Sequence, residues 1–144
     1  MKPKRLGCEV SAIKNLFTRN VENCESFKYA TSVTSSNSFI LGYLARHKNE
    51  DVYQKDIEER FSITKSTTSK VLKLMEQNGL IERIDVKEDA RLKKIILTDK
   101  GYEIHESVKL ALNQIEVKAL EGFSEEETQI LFSYCERIKE NLKK

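Results

Sequence analysis

Residues 64–98 read TKSTTSKVLKLMEQNGLIERIDVKEDARLKKIILT, and no other part of the chain restricts the fold as tightly. Thr64 can cap a helix, because its hydroxyl can accept an orphan amide of the first turn. The following run, to about Asn78, carries Val71, Leu74 and Met75 at helical spacing. Gly79 can close it in a left-handed conformation. Ile81–Val86 and Leu92–Leu97 then alternate apolar and polar residues on either side of the charged stretch KEDAR. That pattern predicts a β-hairpin. The stretch lacks Asn-Gly or Asp-Gly, so a loop longer than two residues is expected.

The flanking sequence is helical in pattern. A single Pro and five Gly in 144 residues leave long segments unbroken. Val10, Ile13, Phe17, Val21 and Cys24 predict an amphipathic helix over about Glu9–Glu25, with Leu16 widening the stripe. Residues 31–38, TSVTSSNS, break the pattern. A helix follows with Phe39, Ile40, Tyr43 and Leu44 on its expected buried side. VYQKDIEERF, residues 52–61, predicts a short helix burying Val52, Ile57 and Phe61, and SIT, residues 62–64, a tight connection. Thr98 can cap a long helix to about Glu121, with Ile104, Val108, Leu112, Ile115 and Ala119 as its stripe, and Gly122 can end it. Ser124 and Glu127 have capping-box spacing for a last helix bearing Leu131, Tyr134, Cys135, Ile138 and Leu142.

Short helix, tight turn, longer helix and hairpin follow one another in the order of a winged helix-turn-helix. The expected fold is therefore mainly α with a small β-hairpin wing, in one domain. Thr67, Val71, Leu74 and Met75 should pack inwards on the second helix of the pair. Lys65, Ser66, Thr68, Ser69, Lys70 and Lys73 are its candidate DNA-facing residues. Small hydroxyl side chains permit close approach to base edges, and lysines meet phosphates or guanine acceptors. In the hairpin the candidates are Lys87, Asp89, Arg91, Lys93 and Lys94. An Arg at a hairpin tip can enter the narrow minor groove, where the potential is most negative. Asp89, two residues away, can hold the guanidinium in a bidentate grip and reduce the entropy lost on docking.

Charge is distributed to match. Net charge is only +2, but residues 1–50 hold 8 Lys and Arg against 4 Asp and Glu, whereas residues 102–144 hold 6 against 9. The acidic tail masks the basic surface. No nucleophile–base pattern, glycine-rich phosphate loop or convincing carboxylate pair points to an enzyme. The three cysteines have no close spacing, and His47 and His105 have no ligand cluster beside them, so neither a disulfide framework nor a metal site is expected, and no cofactor. With no membrane-length apolar run and no secretory signal, the expected compartment is the cytoplasm.

The stretch DARLKKIILTDKG has the D-x-R…I-x-L-T-x-x-G form of the MarR family of bacterial transcriptional regulators, which the chain resembles. TKSTTSKVLKLMEQNGLIER is similar to that family's recognition helix and the segment after it, and FSEEETQILFSYCERIKENL to its final dimerisation helix. The resemblance implies dimerisation helices over 9–30 and 102–144 around a DNA-binding lobe over 35–100, with the recognition helix at about 64–78 and the wing at about 81–97. It implies a homodimer, usually a repressor, on a duplex operator. It also implies a small aromatic ligand that releases the DNA, for which Phe17, Phe39, Tyr43 and His105 are candidates. Independently of the family, the long apolar stripes at both ends of the chain exceed what a monomer normally exposes. Two further readings stand beside this one. Cys8, close to the basic residues Lys4 and Arg5 that favour a thiolate, could sense oxidants, as an N-terminal cysteine does in some members. Alternatively, the chain could be a winged-helix interaction module without DNA binding.

Overall fold

The computed structural model describes residues 2–22, 24–35 and 37–144. Its elements run α1 (Leu6–Val21), α2 (Glu25–Val33), α3 (Phe39–Arg46), α4 (Gln54–Phe61), α5 (Lys65–Gln77), β1 (Ile81–Val86), β2 (Asp89–Leu97), α6 (Asp99–Ala119) and α7 (Glu125–Leu142). The N-terminal segment differs from expectation. One helix to Glu25 was expected, but α1 stops at Val21 and a separate helix, α2, follows. α2 buries Ala30 and Val33 and packs on α6, which the polar run beginning at Thr31 conceals in the sequence.

The core lies in the central lobe. Ile40, Leu41 and Leu44 of α3 meet Ile57 of α4, Val71, Leu72 and Met75 of α5, and Ile81, Ile95 and Leu97 of the hairpin. Full burial of one such side chain stabilises the fold by about 1.5–3 kcal/mol. Val52 joins this core, and its carbonyl accepts from the Ile95 amide at 2.8 Å, tying the segment before α4 to the hairpin. Phe61 is only partly buried, packed against the core with Tyr43 edge-on to it.

Local chemistry fixes the junctions. Ser62, at φ +52°, turns the chain out of α4 in the left-handed region, and the Ile63 amide bonds the Glu58 carbonyl at 3.1 Å. Thr64 then caps α5, accepting from the Thr67 amide at 3.3 Å. Gly79, at φ +73°, closes α5, and the Leu80 amide bonds the Met75 carbonyl at 2.9 Å. With the Gly79 amide bonding the Glu76 carbonyl at 3.0 Å, the two bonds form a Schellman arrangement. Thr98 does two things at once. Its Oγ1 donates to the Gly79 carbonyl at 2.6 Å and accepts from the Gly101 amide at 3.1 Å, so the cap of α6 is fastened to the end of α5. Lys100 Nζ reinforces the joint by donating to the Asn78 carbonyl at 2.9 Å. At the other end, Ser124 and Glu127 form the reciprocal capping box of α7, with bonds of 2.8 and 3.1 Å.

The two ends of the chain stand apart from this core. Phe17 and Val21 turn α1 inwards, but Val10, Ile13 and Leu16 remain 55 % exposed. α7 buries no residue at all, and Leu131, Phe132, Tyr134 and Leu142 lie open.

Candidate nucleic-acid interface

α5 presents one open face. Lys65, Ser66, Ser69, Lys70 and Lys73 are all exposed along it. Glu76, the first acid on the helix, is occupied by the Arg83 guanidinium in a two-bond fork of 3.0 and 3.1 Å. That fork holds the Glu76 carboxyl below its ordinary range and the Arg83 guanidinium above its own. The expected phase of the helix needs one correction. Thr67 is exposed and Thr68 is completely buried, the reverse of what its sequence pattern suggests. Thr68 Oγ1 donates to the Thr64 carbonyl at 2.8 Å, which satisfies the hydroxyl inside the lobe and removes Thr68 from any DNA-facing set.

The hairpin also departs from expectation. Val86 pairs with Asp89, so Lys87 and Glu88 form a two-residue turn rather than a longer loop. The slack appears instead as a bulge: Asp85 pairs with Lys93, leaving residues 90–92 extra on the returning strand. Arg91 rides on this bulge and is 91 % exposed. Asp89 does hold it, but not by a bidentate fork. Asp89 Oδ1 accepts from the Arg91 amide at 2.9 Å and from its Nε at 3.3 Å, so the terminal guanidinium nitrogens stay open. Lys87 is exposed on the turn. Lys93 pairs with Asp85 across the hairpin at 3.4 Å. Lys94 points to the opposite side and pairs with Asp51 at 2.7 Å, which raises its ammonium above the ordinary value.

Between α5 and the wing lies an open groove of about 430 Å³. Lys65 and Ser69 line it from the helix, Arg91 and Lys93 from the wing. Gln54, Lys55, Arg83 and the acid Glu58 also line it, and none of these was a sequence candidate. Gln54 and Lys55 open α4; Gln54 reaches Ser69 of α5, and Lys55 lines the same groove. Arg83 could have been suspected as the third residue of β1, four after Gly79, but its pairing with Glu76 depends on the angle between helix and hairpin.

A family model described as MarR family matches residues 31–92. An uncharacterised HTH-type transcriptional regulator of Staphylococcus aureus is 33% identical over 107 residues, covering 73% of this chain and 72% of its own. The chain belongs to the MarR family. Two solved members show the same fold. The transcription regulator MarR from Oenococcus oeni has 28% identity, covers 94% of this chain and 99% of its own, and superposes with a TM-score of 0.76. A MarR family regulator from Listeria monocytogenes, crystallised with a 26mer DNA, has 25% identity, covers 97% and 90%, and gives a TM-score of 0.77. The protein is thus a winged helix-turn-helix transcriptional regulator and not an enzyme.

The candidates for signal sensing in this MarR-family chain divide in space. Phe17 and Phe39 line one cavity of about 650 Å³ between α1, α2 and α6, with Val21, Phe27 and Leu112 as further apolar walls and Lys14 and Glu116 as its charged members. Phe39 was expected to be buried, yet it is 62 % exposed, because it faces this cavity instead of the core. Tyr43 lies elsewhere, stacked on His47 with ring centroids 4.1 Å apart. Partial burial raises its phenol above the ordinary value, with Asp56 and Glu50 adding to the effect. His105 packs against Gly42, where an added Cβ would stand 3.3 Å from its Cε1, and desolvation lowers its imidazole. Neither Tyr43 nor His105 lines the cavity. Cys8 is exposed on the first turns of α1, and Cys135 is exposed on α7. No helix among the described residues is long and apolar enough to cross a membrane.

Proposed function

We propose that this MarR-family regulator is a homodimeric repressor of a pseudo-palindromic duplex operator. α5 enters the major groove and the Arg91 bulge enters the adjacent minor groove. The observation that carries this reading is the pairing of an exposed helix face free of acid up to Glu76 with an open guanidinium on the wing beside it. The Listeria relative complexed with DNA supports it. The exposed apolar residues of α1 and α7 support pairing of two copies through the terminal helices, which would set the recognition helices roughly 34 Å apart. A small aromatic molecule in the Phe17–Phe39 cavity is the effector class that its largely apolar lining fits. Selection of bound duplexes from a random pool tests the reading directly. The recovered sequences should be inverted repeats, and an isolated half-site should bind far more weakly in a gel shift. Equal binding of half and full sites would sink the dimer, and recovery of no sequence preference would sink the operator.

A further inference from the structure

We propose that Gln54 sets the hydrogen-bonding polarity of Ser69, making it a donor toward DNA and hence a reader of acceptor atoms on base edges. The proposal rests on α5 being the DNA-reading helix. Gln54 is the first residue of α4, and its side chain crosses to α5. Its Nε2 donates to Ser69 Oγ at 2.9 Å and reaches the Lys65 carbonyl at 3.4 Å. A backbone carbonyl can only accept, so the amide nitrogen and not the amide oxygen faces α5. The orientation of the amide is therefore dictated by the backbone.

A hydroxyl that accepts from an amide keeps its own hydrogen to give away. On a helix that hydrogen commonly returns to the carbonyl four residues back, as Thr68 does to Thr64 at 2.8 Å. For Ser69 that carbonyl is Lys65, the one the Gln54 amide approaches. Among the described residues Ser69 has no acceptor for its hydrogen, and it opens on the groove lined by Lys65, Arg91 and Lys93. Lys and Arg are donors only, so an outward Ser69 hydrogen adds to their donors, while Glu58 is the one acid in the groove lining. The complementary major-groove edges are guanine O6 and N7, adenine N7 and thymine O4; the cytosine amino group is the mismatch.

A double-mutant cycle of full-length protein on the selected operator tests this. Affinities are measured at one salt concentration for that operator, for its single base-pair variants, for purines lacking N7, and for random duplex. Wild type should discriminate against loss of the acceptor at one position per half-site by about tenfold. Gln54→Ala should cut that discrimination several-fold, by more than any loss of random-duplex affinity. In a Ser69→Ala background, Gln54→Ala should have no further effect. Gln54→Glu is the sharper variant. Its carboxylate only accepts, so it takes the Ser69 hydrogen, turns the Oγ lone pairs outward, and should shift preference at that position toward cytosine N4 or adenine N6. Additive effects in the cycle, or a uniform loss on every sequence, would overturn the proposal and leave Gln54 as a strut or a phosphate contact. Wild-type protein that binds no duplex at all would overturn the DNA reading and this proposal together, an outcome distinct from an additive cycle on a functioning binder.

Discussion

The central lobe and the terminal helices obey different rules of completion. In the lobe, α3, α4, α5 and the hairpin bury one another, and Leu41, Ile57, Leu72 and Met75 have no exposed surface left. In α1 the apolar residues Val10, Ile13 and Leu16 point outwards, with only Val21 buried, and α7 buries none. The lobe carries its own folding free energy. The ends are amphipathic helices whose apolar faces lack a counterpart within the chain, as expected of elements that acquire one from another copy. The lobe is closed on itself, whereas the two terminal helices leave apolar surface that the proposed dimer would cover.

The sharpest way to break this contrast is to remove buried volume from each half. Ile57→Ala should lower unfolding free energy by about 2–5 kcal/mol. Because Ile57 is in the self-contained lobe, that loss should be the same at every protein concentration in thermal or denaturant melts. Ile13→Asp with Leu131→Asp should act oppositely. The lobe should keep its secondary structure, while sedimentation reports single chains and affinity for a two-half-site operator falls by about a hundredfold through lost coupling of two sites. If the double variant instead unfolds at all concentrations, the terminal helices belong to the core and the contrast fails.

Smaller effects resolve the DNA-facing half. Arg91→Ala should weaken operator binding by about tenfold and reduce the salt dependence by roughly one charge, with the melting curve unmoved. Unchanged affinity would remove the wing from the interface. The Glu76–Arg83 fork should matter least. Glu76 is depressed below its ordinary carboxylate value, chiefly by the Arg83 hydrogen bonds, so the pair stabilises above the unfolded carboxylate pKa and is lost as pH falls through the lower folded value. Both partners are partly open to solvent, which limits the contribution to a few tenths of a kcal/mol. Glu76→Gln should therefore differ slightly from wild type near neutrality, and the two stability curves should merge in acid.

What could be read from the sequence was local. Thr64, Gly79, Thr98, Ser124 and Glu127 act within one helical turn of themselves, and the structure places their bonds where the spacing implies. The existence of the hairpin follows from alternation in the same way. What could not be read depends on neighbours distant in sequence. Thr67 and Thr68 are chemically identical and adjacent, and only the packing of α5 on α4 and the hairpin decides which is buried. The bulge at residues 90–92 keeps the strands in register after a tight turn, and a pattern of alternation cannot distinguish it from a longer loop. Gln54 gave no signal because its partner Ser69 is fifteen residues away on another helix. Phe39 misled for a related reason: an aromatic on an apolar face can fill a core or wall a cavity, and the sequence pattern is the same.

The joint at Thr98 and Lys100 has a mechanical corollary. It fastens the last turn of α5 to the first turn of α6. α6 has 21 residues, so it is a rod about 31 Å long with the joint at one end. A sideways shift of about 5 Å at its far end corresponds to a rotation of roughly 10° at the joint over that length. The recognition helix would turn with it. Under the proposed reading of α5, the same rod would gear the terminal helices to the DNA-facing helix, so a displacement no wider than one helical turn at the far end would swing a base-reading side chain out of line with its base pair.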